Sequence, residues 1–193
     1  MKHRIYRNFK SADFFGRFVV TLLLSIAVWV HAAEAEWTTS SDIDPMTDVS
    51  QHFAYSPRVQ AKTPLSFPYH DLSVSVHYAC DSTGSDWAYL AFSVDPNSPD
   101  AEPTTSGYSL VSMRLRWDDT LIRHRLRQEF GSRFLHFQMR GANITKPLAE
   151  SSRLLVEINI YGSGPTVFEI PLSGSAVAME SVRNQCGLPP FRF

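Results

Sequence analysis

The chain has 193 residues, 44% of them hydrophobic, and a formal net charge of −1. So small a charge argues against general nucleic-acid binding. Its 2 cysteines and 7 histidines lack the short ligand spacings of a zinc site.

Lys2, Arg4, Arg7, Lys10 and Arg17, opposed by Asp13, precede thirteen nearly apolar residues from Phe18 to Val30. A basic n-region followed by such an h-region predicts a cleavable export signal over residues 1–35. A-E-A, ending at Ala35, fits a cleavage site before Glu36, and V-H-A, ending at Ala32, competes with it. Thirteen residues fall short of the roughly 18 that a spanning helix needs, so no stable membrane span is expected after cleavage. The remaining 158 residues suffice for one domain with a real core. Their charges are uneven: residues 36–102 hold ten acids and two bases, whereas 103–193 hold eleven bases and seven acids. An acidic half and a basic half predict either internal pairing or a directed partner surface.

Residues 36–70 are polar and broken by Pro45, Pro57, Pro64 and Pro68, which predicts an extended segment with few regular elements. Asp42, Asp44 and Asp48 resemble the start of a calcium loop. Phe53 stands where its bidentate Glu belongs, so turn carboxylates are the better reading. A β-rich domain is expected over 71–188. Leu72, Val74, Val76, Tyr78 and Cys80 alternate with Ser73, Ser75, His77 and Ala79, the pattern of a half-buried strand with Cys80 facing the core. Trp87–Val94 follows as a second strand, and Asp95–Ser106, with three prolines, as a mobile acidic loop.

Val111, Met113, Leu115 and Trp117 face inward on the third strand. A two-residue turn at Asp118-Asp119 would then pair Trp117 with Thr120, Leu115 with Ile122 and Arg114 with Arg123. That register places Arg114, Arg116, Arg123, Arg125 and Arg127 on one exposed face, where like charges repel across the ladder and call for an anion. The acidic half of the domain, solvent, or an acidic partner surface or anionic cell-wall polymer could supply it. Phe134–Met139 reads as a short strand, and Leu154, Val156, Ile158 and Ile160 as a strong one. A Y-G-S-G-P turn leads into the strand carrying Phe168, Ile170 and Leu172. An amphipathic helix with Met179, Val182 and Cys186 on one stripe comes next, with Ser173 or Ser175 as its N-cap and Gly187 as its stop. Residues 189–193 are expected to form a loose tail.

Two cysteines in an exported chain are most simply one disulfide, and both Cys80 and Cys186 fall on the apolar side of their elements. No G-x-S-x-G elbow, paired-histidine spacing or phosphate loop is present, and His77, His124 and His136 read as structural or exposed. No catalytic residue, metal ligand or cofactor is assigned.

Trp37, D-P-M-T-D (Asp44 to Asp48), L-S-V-S-V-H-Y-A-C (Leu72 to Cys80) and R-L-R-W-D (Arg114 to Asp118) occur in that order. Y-G-S-G-P (Tyr161 to Pro165) and F-E-I-P-L-S-G before the helix ending in Cys186 complete the set. The arrangement resembles the type VI secretion-associated VasI/TagO-like envelope proteins, through spaced residues over nearly the whole mature chain. The proline-bearing loop and the arginine-dense hairpin are not part of that pattern. The resemblance implies a small periplasmic β-rich accessory protein with no chemistry of its own. The expected fold is all-β, an antiparallel β-sandwich or partly open barrel of about seven strands, with one C-terminal α-helix. The expected function is that of a non-enzymatic adaptor for an envelope or secretion-system component, docking through the five arginines. Its rivals are a peptidoglycan- or glycan-binding or hydrolysing protein and an inhibitor or immunity protein of an exported toxin.

Overall fold

The computed structural model describes residues 36–138 and 144–192. The expected export signal over 1–35, Met139 at the end of a strand, the start of the following connection at 141–143, and Phe193 lie outside them. Eleven strands occur: β1 (Thr38–Ile43), β2 (Ser50–Tyr55), β3 (Val59–Gln60), β4 (Ser73–Asp81), β5 (Asp86–Phe92), β6 (Ala101–Pro103), β7 (Tyr108–Trp117), β8 (Thr120–Glu129), β9 (Phe134–His136), β10 (Arg153–Ile160) and β11 (Gly164–Pro171). Two helices accompany them, α1 (Thr145–Glu150) and α2 (Ser175–Gln185).

All strands belong to one sheet in the order β1-β2-β4-β5-β9-β8-β7-β10-β11, with β3 on β4 and β6 on β7. Every strand pairing in it is antiparallel. Residues 59–62 draw β11 and β4 together. Val59 and Gln60 pair with Val74 and Ser73, Ala61 bridges Phe168, and the Lys62 N–H donates to the Val167 carbonyl at 2.8 Å. The sheet is thereby curled into a partly closed barrel, from which β1 and β2 extend as a hairpin against α2.

The expected alternation fills the interior: Val74, Val76, Tyr78, Leu90, Phe92, Leu115, Leu126, Leu154, Val156, Phe168 and Ile170 are all fully buried. The Trp117–Thr120 register of the β7–β8 hairpin is found as expected, and its turn places Asp118 at φ 48.

Eleven strands rather than about seven occur because β1, β2, β3 and β6 lack an apolar alternation: β1 and β6 form hairpins with β2 and β7, and β2 and β3 add to β4. Residues 36–70, expected to be nearly irregular, supply three of these strands and belong to the same compact unit as the rest of the described chain. Asp44 closes the β1–β2 turn, its Oδ1 accepting the Met46 N–H and its Oδ2 the Thr47 hydroxyl, both at 2.9 Å. The expected mobile loop at 95–106 is pinned by β6 and by Asp95, whose Oδ1 accepts from Gln128 at 2.9 Å. The second strand ends at Phe92, two residues earlier than expected.

α2 lies on β2 and β4 with Met179 and Val182 completely buried. Cys80 and Cys186 form a disulfide spanning 106 residues. Neither serine caps the helix: its N-cap is Gly174, at φ 85, and the Ser175 hydroxyl donates to the Leu148 carbonyl at 2.7 Å, docking α1 onto α2. The tail is held as well. The Arg183 guanidinium donates twice to the Pro189 carbonyl, at 3.0 and 2.6 Å, and lies 4.1 Å from the Phe191 ring centroid.

Candidate functional site

The outward positions of β7 alternate with its buried ones, which leaves Arg114 and Arg116 on the outer surface. The ladder to β8 puts Arg123 directly opposite Arg114, Arg125 opposite Ser112 and Arg127 opposite Leu110. All five arginines therefore share one face, and the structure sorts them into three groups.

Arg114, Arg123 and Arg125 line one cleft of about 610 Å³, together with Asp100, Ser112 and Glu157. Two of these guanidiniums are neutralised inside the molecule: Arg114 meets Glu157 of β10 at 2.5 Å, and Arg125 meets Glu102 of β6 at 2.5 Å. Arg123 has no carboxylate partner among the described residues, although it lies opposite another cation. Arg127 is turned aside, pairing with Glu129 at 3.4 Å and lying 4.5 Å from the Tyr108 ring centroid. Arg116 is half-buried between its cross-strand neighbours Leu121 and Leu155, with its Nε sealed from solvent and unpartnered.

The acidic half of the chain thus answers part of the arginine face, through Glu102, while Glu157 from the basic half answers another part. Exposed pairs of this kind contribute at most about 1 kcal/mol each, so their main effect is to fix side-chain positions around the cleft. A guanidinium presents five donors in a planar fork, which suits Arg123 to a carboxylate from outside. His124 and Asn159 also line the cleft. His124 sits opposite Met113, its ring centroid 5.9 Å from that of Phe137, and burial holds its pKa below the ordinary value for histidine. The contributions of Glu157 and Asn159 were missed in the sequence because they depend on β10 lying beside β7, which sets Glu157 against Arg114 across 43 positions of the chain.

The remaining histidines have other surroundings. His77 is stacked between Tyr55 and Tyr89, with centroid distances of 5.1 and 4.8 Å, and its Nε2 is 2.9 Å from the Ser75 hydroxyl. Burial pushes its pKa down to about 4. β4 is therefore covered on both faces, not half-buried as the alternation suggests, since Ala79 is wholly buried under Phe53 and Trp87. Among the described residues no cluster of three or more His, Cys, Asp or Glu side chains could hold a metal ion, and no helix is long and apolar enough to cross a membrane.

The fold and the cleft define an antiparallel β domain with a disulfide-fastened terminal helix and a charged groove on its outer surface. No family model, curated protein or solved structure matches the chain.

Proposed function

We propose that the chain is an exported, non-enzymatic adaptor whose β7–β8 hairpin docks an acidic segment of another envelope or secretion-system protein. The observation that carries this reading is Arg123: a solvent-exposed guanidinium in a formed cleft, flanked by Arg114 and Arg125, whose own charges are already matched. An acidic side chain arriving there gains a charge-assisted hydrogen bond and relieves the repulsion between Arg123 and Arg114. The disulfide between Cys80 and Cys186 is compatible with an oxidising compartment such as the periplasm. The export signal expected over 1–35 would take the chain there.

A photo-crosslinking residue at position 112, which lines the cleft and leaves Arg123 in place, tests this in cells. The expected result is a discrete protein adduct that disappears at high salt and in the Arg114→Glu/Arg125→Glu background, while the chain fractionates with periplasmic markers. Cytoplasmic fractionation, or an adduct indifferent to both changes, would overturn the proposal.

A further inference from the structure

The outer surface carries a second feature, separate from the arginine cleft. The registers of five neighbouring strands line up into a single transverse row: Tyr55 on β2 faces His77 on β4, His77 faces Tyr89 on β5, Tyr89 faces His136 on β9, and His136 faces Arg127 on β8. The rings stand side by side, Tyr55 and His77 at 19° between planes, His77 and Tyr89 at 24°, and Tyr89 and His136 at 35° with centroids 5.3 Å apart. Phe53, Trp87 and Phe134 flank the row and are half-buried, forming an apolar cluster distinct from the barrel core. An outer β face is ordinarily polar; here Phe53, Trp87 and Phe134 cover the buried Ala79, Tyr89 and Ala91 and leave an aromatic margin at the surface.

Arg58, Arg127 and Arg133 stand around the patch, with two carboxylates near them: Glu129 beside Arg127, and Asp81 two positions beyond Ala79 on the same face of β4. Arg133 lies 5.0 Å from the Phe134 ring centroid, and Arg58 and Arg127 act electrostatically on His77 and His136. Glu129 acts on His136 in the opposite sense and pairs with Arg127. Arg58 and Arg133 are exposed and have no carboxylate partner among the described residues. Two free guanidiniums beside aromatic rings call for a ligand that is anionic and also has apolar surface.

The row discriminates between such ligands. Flat bases bind by lying on exposed ring faces. Here Tyr55, His77, Tyr89 and His136 turn those faces toward one another, so the row offers ring edges. The Tyr55 hydroxyl and the His136 nitrogens have no hydrogen-bond partner among the described residues, whereas Tyr89 between them is only 9% exposed and His77 Nε2 is 2.9 Å from the Ser75 hydroxyl. A hydroxyl tip at one end of the row and an imidazole tip at the other suit a ligand that carries hydroxyl groups along its length.

From this arrangement we infer that the β2-β4-β5-β9 face binds a carboxylated glycan strand. Its sugar hydroxyls meet Tyr55 and His136 at the two ends of the row, its apolar sugar faces rest on Trp87 and Phe134, and its carboxylates meet Arg58 and Arg133. This site is independent of the adaptor reading, because none of these residues lines the cleft.

The test uses the disulfide-intact protein and hexamers of galacturonate, with Trp87 fluorescence and chemical-shift mapping as readouts. Saturable binding is expected, with at least tenfold weakening in Arg58→Ser/Arg133→Ser and again in Trp87→Ala, while Arg123→Glu leaves it unchanged. A neutral maltohexaose should bind at least tenfold more weakly. Failure of the galacturonate hexamer to bind, or equal binding by Arg58→Ser/Arg133→Ser, overturns the inference. Equal or tighter binding of a poly-glutamate peptide or a thymidine hexanucleotide also overturns it, assigning the face to acidic peptides or single-stranded nucleic acid. Arg58, Arg133 and Trp87 all lie on the surface or at its margin, so loss of binding can be separated from misfolding by the unchanged response of His124 signals.

Discussion

Arg183 on α2 donates to Asp86 Oδ2 at 2.8 Å across 97 positions of sequence, and the same oxygen accepts from Tyr78 Oη at 2.8 Å. The Arg183 side chain is 10% exposed and that of Asp86 32%. Together with the two bonds to the Pro189 carbonyl, this makes one side chain the junction of β4, β5, α2 and the tail. Desolvation by burial, with the Asp86 carboxylate beside it, raises the pKa of the Tyr78 hydroxyl well above its ordinary range.

Replacing Arg183 with Met keeps the apolar stem but strands Asp86, Tyr78 and the Pro189 carbonyl. Breaking a buried pair costs about 3–5 kcal/mol, and the partial exposure of Asp86 reduces the expectation to about 2–3 kcal/mol. Urea unfolding at pH 7 with the disulfide intact measures it. A loss below about 0.5 kcal/mol, the level of an ordinary surface substitution, would show that the junction is not a stabilising element.

The Cys80–Cys186 bond closes most of the domain into one loop. Replacing both cysteines with Ala should cost about 3–5 kcal/mol, in line with the loop-closure entropy of a 106-residue separation. Cys80 is fully buried and Cys186 is 9% exposed, so dithiothreitol should reduce the bond only in denaturant. Intact mass then rises by about 2 Da as two thiols form. Reduction of the native protein at the same rate as the unfolded one would contradict this burial.

His77 sets a pH window. Its folded pKa, near 4, lies below the unfolded value near 6.5, so the unfolded chain binds the proton first as pH falls. Its contribution is complete above pH 6.5 and is lost progressively toward pH 4, at no more than about 1.4 kcal/mol per pH unit. His136 and His124 are shifted in the same direction by burial and add to the slope. Denaturation midpoints at pH 7 and pH 5 should separate less in His77→Gln than in the parent. An equal separation would remove His77 as a source.

Asp118 occupies a positive φ in the β7–β8 turn, and its carboxylate accepts the Ser152 and Arg153 N–H groups at 3.1 Å. Asp118→Ala loses both the acceptor and the tolerance of a short polar side chain for that backbone, and should cost about 1–3 kcal/mol. Asp118→Gly removes only the acceptor and should cost less. Thermal melts order the two variants; the reverse order would refute the turn argument.

The parts of the fold legible in the sequence are those in which one strand's alternation decides the answer. Leu72 to Cys80 shows its core face in its own spacing, and Asp118-Asp119 between apolar runs sets the hairpin register without outside information. The same alternation misleads for Ser73, Ser75 and Ala79, which are buried too, Ala79 beneath Phe53 of β2 and Trp87 of β5. The five arginines were legible as one face, but their division was not, because Glu102 and Glu157 reach them through strand neighbours that no local pattern encodes. Nothing in the sequence singles out Arg183. Its burial depends on Asp86 and Pro189 arriving from two other parts of the chain.

Residues 59–62 join β4 to β11, so an early segment waits for one of the last strands before both its edges are covered. A ribosome or pore delivering the chain from its N-terminus releases β1 to β5 long before Phe168, the partner of Ala61, has emerged. Cys186 comes later still. Because contacts of this span form slowly and only once both ends are present, completion of the domain is coupled to release of the whole chain. A chain truncated before β11 would keep the core-lining side chains of β4 exposed and behave as a substrate for chaperones or proteases instead of a smaller stable domain.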